Sequence, residues 1–272
     1  MEFQSFVRYS ALFCSIITLS ACSSSGSDSA AVTTVNGSVF ASHVDGASVT
    51  VKDTSGNTVA GPVTTDHQGF TVTIPNTDLA STLVFEANGG TFVDEATGTT
   101  TQAGPMKALA QAGSLSAANN SVHATPGSSI IHELITQHGM TMADAQAAFT
   151  TAFGYTPDHS IAPTDATGPE AGADTDELLA GLRAAAFSQL TNDLGLGAEQ
   201  QFELLTALAL DLSDHTLDGK AASGNVTVGN TVLPEDIQNL FATALLTVQN
   251  SADHKTGLND AQIGTLPFAT VI

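Results

Sequence analysis

The chain has 272 residues, room for one large domain or two small ones, and sets 6 Lys plus Arg against 27 Asp plus Glu, a net charge of −21. So acidic a chain is repelled by phosphate backbones and anionic head groups, which argues against nucleic-acid binding. It has two cysteines, no tryptophan and two tyrosines, so it offers neither a thiolate metal site nor many of the aromatic platforms that carbohydrate-binding surfaces use.

Arg8 precedes an apolar run from Ala11 to Leu19 that is too short to span a bilayer, and small residues lead to Cys22. A charged start, a short apolar segment and small residues at a cleavage point make an export signal. Leu19-Ser20-Ala21-Cys22 resembles the lipobox of bacterial lipoproteins. That resemblance implies cleavage before Cys22, acylation of its thiol and new amino group with palmitate-type chains, and membrane attachment through lipid. Ser23 after the cysteine, rather than Asp, resembles lipoproteins sent on to an outer membrane. Residues 1–21 are thus read as signal peptide and 22–33, which contain Ser23-Ser24-Ser25-Gly26-Ser27, as a flexible tether. Cys14 leaves with the signal. Removing the signal takes Arg8 and Glu2 together, so the balance stays strongly acidic.

From Thr34 the pattern is strands and tight turns. Val49 and Val51 alternate with Ser48, Thr50 and Lys52, as in a strand buried on one face. Asp53 to Asn57 and Asp66 to Gly69 are turn chemistry. Val59–Thr65, Phe70–Ile74, Leu83–Phe85 and Met106–Ala110 read as further strands, spaced as in an antiparallel sandwich. Gly37-Ser38-Val39, Gly46 to Val51, Asp53 to Gly56 and Thr65 to Phe70 follow one another in the order of a known signature. Residues 34–112 on this basis resemble the carboxypeptidase regulatory-like domain, which implies a transthyretin-like β-sandwich. That domain is usually an accessory module, so the resemblance implies no activity and carries over no catalytic residue. Asn88 to Asp94 also resemble a group of bacterial lipoproteins in which a helical segment follows the sandwich.

Residues 113–125 are small and polar, a linker. Thr125-Pro126 is a helix start, N-cap then first-turn proline. Thr141 with Asp144, Asp174 with Glu177, and Pro234 open further helices. Stripes such as Leu179, Leu182, Ala186 and Leu190 give residues 126–272 about five helices and a bundle core. The expected fold is α+β in two domains, an N-terminal antiparallel sandwich and a C-terminal helical bundle.

Candidate chemistry is sparse. His132-Glu133 lacks the second histidine four residues on that a zinc-protease helix requires, because position 136 is Thr136. His132 is read as a solvent-facing helix residue. Lys52 with Glu86 raises the isopeptide bonds of related surface sandwiches, but alternation points Lys52 to solvent. Asp211, Asp214 and Asp218 fall at i, i+3 and i+7, on one face of any helix that runs through them, and hard oxygen ligands suit Ca²⁺. The competing reading ends the helix near Leu212 and makes them loop acids. The expected function is a non-enzymatic, membrane-anchored surface lipoprotein that binds or scaffolds an unknown protein or glycan partner. The alternatives are an accessory carbohydrate- or peptide-binding module and, with no sequence constellation behind it, a hydrolase.

Overall fold

The computed structural model describes residues 31–264, so the signal, the lipobox and all but the last residues of the tether lie outside the described residues. The architecture is α+β with antiparallel sheets. Strands β1 (Val32–Gly37), β2 (Ser48–Asp53), β3 (Thr58–Thr64), β4 (Phe70–Pro75), β5 (Leu83–Asn88) and β8 (Met106–Ala110) form two sheets, and β6 (Thr91–Val93) and β7 (Thr100–Gln102) form a hairpin. The larger sheet has the order β3-β2-β5-β8, and β1 pairs with β4. These strands pair antiparallel, with Val51 opposite Phe85 and Phe85 opposite Ala108 in the centre of the larger sheet.

Because side chains alternate along a strand, Val49, Val51, Phe85, Ala87, Met106 and Ala108 fall on one face, where Val35, Val72 and Ile74 of the smaller sheet meet them in one core. Thr50, Lys52, Val84, Glu86, Lys107 and Leu109 fall on the opposite face. α1 (Pro126–Thr136) and the start of α2 (Met142–Phe153) meet that opposite face. Gly37 closes the sandwich at one end: a Cβ there would come within 1.8 Å of the Val122 carbonyl oxygen.

Residues 121–124, within the segment read as a linker, extend beside β1. Val122 donates to the Asn36 carbonyl, Ala124 to that of Ser38, and Phe40 to that of Ala124, at 2.8–2.9 Å. The sequence there is too short and mixed for strand alternation to register, yet Val122 is fully buried.

The helices are α1 (Pro126–Thr136), α2 (Met142–Phe153), α3 (Thr175–Asp193), α4 (Gln201–Asp211), α5 (Ile237–Gln249) and the short α6 (Asp260–Ile263). Their starts follow their caps. Thr125 and Ser128 form a reciprocal capping box, as do Asp174 and Glu177, and the Thr141 hydroxyl accepts from the Asp144 N–H. Gly154, in the left-handed conformation at φ 78°, ends α2. Two small ladders lie between α4 and α5: β9 (Lys220–Ala221) with β10 (Gly224–Asn225), and β11 (Thr227–Val228) with β12 (Thr231–Val232). The helical core centres on Phe153, whose ring centroid is 4.5 Å from Phe149, 5.4 Å from Phe187 and 4.8 Å from Phe241.

The two cores are distinct but joined. Phe202 on α4 belongs to the sheet core and meets Phe92 edge to face at 5.6 Å. Residues 31–264 cluster as one compact unit. No helix among the described residues is long and apolar enough to cross a membrane.

A second close approach fixes the long loop before α3. Gly181, in the middle of α3, faces the Thr164 carbonyl so closely that a Cβ would lie 1.6 Å from its oxygen. Alanine in a helix interior normally gains about 1 kcal/mol over glycine. Overpacking against immovable backbone costs about 1–3 kcal/mol or more. Gly181→Ala is therefore expected to lower stability by about 1–2 kcal/mol in urea unfolding, the reverse of its propensity effect. An unchanged or raised midpoint would show that the loop does not seat on α3.

Candidate functional site

An apolar-floored cleft of about 450 Å³ lies where α1 and the start of α2 cross the outer face of the larger sheet. Its volume is that of a small-molecule site. Val84 on β5, Leu109 on β8, Ile135 on α1 and Met142 on α2 are among its lining residues. Lys52, Glu86, Lys107 and His132 bring charge and hydrogen-bonding groups to it.

Two ion pairs set its electrostatics. Lys52 on β2 pairs with Glu86 on β5, and Lys107 on β8 pairs with Glu133 on α1 at 3.2 Å. Lys52 points away from the sandwich core as its alternation requires, but its side chain is only 32% exposed and it meets a carboxylate on the cleft wall rather than open solvent. His132 corrects the expectation of a solvent-facing residue: it is 4% exposed. Helical spacing gave its angular position but not that the strand face would cover it. Its Nδ1 lies 3.5 Å from a Glu133 carboxylate oxygen and 3.4 Å from the Thr136 hydroxyl. Hydrogen bonding from His132, then the Lys107 ammonium, holds the Glu133 carboxyl down at about 2 against a burial effect that pushes it up.

α1 is placed by its own first turn. Lys107 N–H donates to the Ser129 hydroxyl at 3.0 Å, and the Ser128 hydroxyl donates to the Lys107 carbonyl at 2.7 Å. The edge strand is thus capped by two helix serines, and the cleft opens beyond them.

A second, more polar cavity of about 370 Å³ is lined by Asn36, Ser38, His43, His67, His123 and Glu170 among others. The Ser38 hydroxyl lies 2.8 Å from His123 Nδ1, both residues buried. Burial first, then the neighbouring His159 and His43, pushes the His123 imidazole down to about 4, while Asp158 opposes. His123 is therefore neutral near pH 7. Nothing in the spacing of Ser38 and His123, 85 residues apart, marks them as partners.

The three aspartates read as a possible Ca²⁺ site do not share a helical face. α4 ends at Asp211, a 3₁₀ turn spans Leu212–Asp214, and His215 at φ 72° reverses the chain. Each carboxylate instead accepts local backbone N–H groups: Asp211 those of Asp218 and Gly219 at 3.1 and 2.8 Å, Asp214 that of Thr216, and Asp218 that of Lys220. Asp211 is fully buried, and burial pushes its carboxyl up to about 6 although these bonds pull it down. Among the described residues, no three His, Cys, Asp or Glu side chains gather so as to hold a metal ion. Cys22 lies outside the described residues.

The lowered Glu133 value has a defined consequence for stability. A carboxyl at about 2 in the native state and near 4.5 when unfolded contributes stability that is present above the unfolded value and lost as pH falls through the folded one. Glu133→Gln is expected to lower stability at neutral pH and to flatten the acid limb of the melting-temperature profile between about pH 4.5 and 2. An acid limb as steep as that of the wild type would show that His132 and Lys107 do not hold this carboxylate.

Compared with protein-family models, curated proteins and solved structures, the chain matches none, so its functional reading rests on its own geometry.

Proposed function

We propose that the chain is a lipid-anchored, non-enzymatic binding module of a bacterial cell envelope, carried by Cys22 on a Ser/Gly tether and seating its ligand in the cleft between α1 and the sheet. Residues 34–112 serve in this reading as a carboxypeptidase regulatory-like, transthyretin-like sandwich and residues 126–272 as the helical domain that completes the site. The observation that carries it is the cleft itself, concave, of ligand size and apolar-floored, with its two lysines each met by a glutamate.

Charge and composition narrow the ligand. Among the described residues, pairing leaves neither cleft lysine free to attract an anion, and so acidic a chain repels one. Among the described residues, no Phe, Tyr or Trp lines the cleft, which disfavours a glycan stacked on aromatic rings. A neutral, amphipathic molecule fits best, its apolar part on Val84, Leu109 and Ile135 and its polar part toward His132 and Thr136.

The buried Ser38–His123 contact supports a second reading, a serine hydrolase using the polar cavity. A neutral imidazole beside a hydroxyl is the arrangement a nucleophile needs. It is the weaker reading because a base at about 4 removes a proton poorly near pH 7.

The neutral fluorophore Nile red tests the first reading on the soluble chain without its lipid. Saturable binding is expected in the wild type, and Leu109→Glu, which places a charge on the cleft floor, should weaken it about tenfold or more while leaving the circular dichroism unchanged. Equal binding by wild type and variant, or none by either, would remove the cleft as the seat. In cells, fatty-acid labelling is expected for the wild type and not for Cys22→Ala. Labelling of Ser38 by a fluorophosphonate, lost in Ser38→Ala, would favour the hydrolase instead.

A further inference from the structure

Segment 164–166 is held from several directions. The Thr164 carbonyl seats on Gly181, the Ala166 carbonyl accepts from Lys255 N–H at 2.8 Å, and Ala166 N–H donates to Glu95 Oε1 at 2.8 Å. Glu95 stands in the turn after β6, so this last bond ties the sheet half to the loop before α3. The other oxygen of Glu95, Oε2, is buried without a partner, and so is Oδ1 of Asp165. These are two of only four such side-chain atoms among the described residues, and they lie close along the chain path: Asp165 directly precedes Ala166, whose N–H holds Glu95, and the Asp165 charge raises Glu95. Buried carboxylate oxygens left unpaired are costly, and two neighbouring carboxylates cannot both ionise cheaply.

We propose that Glu95 and Asp165 share one proton, Glu95 Oε2–H donating to Asp165 Oδ1, and that this carboxyl–carboxylate pair is a pH-released latch between the β6–β7 turn and segment 164–166. One proton satisfies both orphaned oxygens at once. A hard cation would need six to eight oxygen ligands, and no third carboxylate or imidazole joins the pair in metal-holding geometry among the described residues. The groups facing the pair are mostly acidic: Asp94 from the β6–β7 turn and Glu170 from the loop before α3 raise the pair, while His43, by charge and by its backbone N–H, favours ionised Asp165. Lys255 reaches Ala166 through its backbone. Burial first, then Asp165, pushes Glu95 up to about 8, against bonds from Ala166 and Thr167. Burial likewise raises Asp165. Thr164, His43 and Glu170 also line the polar cavity, so release of the latch loosens that cavity's wall.

At this pair the native state then binds one proton more than the unfolded chain between about pH 4.5 and 8. The latch contribution is fully present below that window and is lost as pH rises through it, about tenfold in the folding constant per pH unit. Infrared spectroscopy at about pH 7.5, where Asp211 is largely ionised, should show a protonated-carboxyl carbonyl band. Glu95→Gln, whose amide donates the same bond without titrating, should lack that band and lose less melting temperature than the wild type between about pH 6 and 9. Asp165→Asn, which bonds Glu95 in its ionised form, should also lack the band and keeps the test open if Glu95→Gln fails to fold. No band in the wild type, or the same alkaline loss in Glu95→Gln, overturns the shared proton. So does a Ca²⁺-dependent rise in melting temperature seen in the wild type and not in Glu95→Gln, because a cation would then fill the pair.

Discussion

The structure depends on how the backbone of Lys107 is satisfied. β8 is an edge of the four-stranded sheet, and an open edge leaves N–H and C=O groups that invite another chain. Here the Ser128 and Ser129 hydroxyls, from the first turn of α1, take both groups of Lys107. These bonds fix where α1 starts, and the Thr125 cap with Pro126 fixes its direction. α1 is thereby laid across the outer sheet face rather than away from it. The Lys107 side chain, on the cleft side of the same residue, then meets Glu133 about one turn further along that helix. The cleft is a consequence of docking a helix over a sheet edge, with Val84 and Leu109 in its lining.

That docking also explains which parts of the fold are legible in the sequence. Strands β2, β4 and β5 and the starts of α1 to α3 are announced by local signals: strict alternation, turn residues and caps whose physics acts within a few residues. What was not legible depends on partners far along the chain. β6 and β7 have three residues each and too little alternation to register. Residues 121–124 extend beside β1 because Asn36 and Ser38 offer carbonyls there, not because of their own pattern. Phe202 belongs by sequence to a helix, yet it fills the sheet core, since a large ring at the start of α4 packs into whichever core it reaches.

The candidate site follows the same division. Lys52, Glu86, His132 and Glu133 were each visible, but as isolated curiosities weighed against motifs they do not complete. Only the register placing Lys107 opposite Glu86, and the two serines that bring α1 over them, make these residues neighbours. The serine and histidine of the polar cavity were less visible still, joined across 85 residues by the path of 121–124 beside β1.

The acidic composition is where sequence and structure part most clearly. Carboxylates clustered in sequence invite a metal, and the i, i+3, i+7 spacing of Asp211, Asp214 and Asp218 does so in helical form. In the folded chain these acids act as backbone acceptors. Asp211 holds the loop from 218 to 219, Asp53 its own turn, Asp174 the start of α3, and Glu95 the segment at 166. Cations answer few of them: Lys52, Lys107 and Lys220 pair with glutamates, and Arg183 lies over the Tyr155 ring at 4.4 Å. With so few counter-charges, a buried carboxyl must be neutralised by N–H donors or by a proton. Asp211 takes the first course, its raised pKa showing how incompletely N–H groups replace water, and the Glu95–Asp165 pair is placed to take the second.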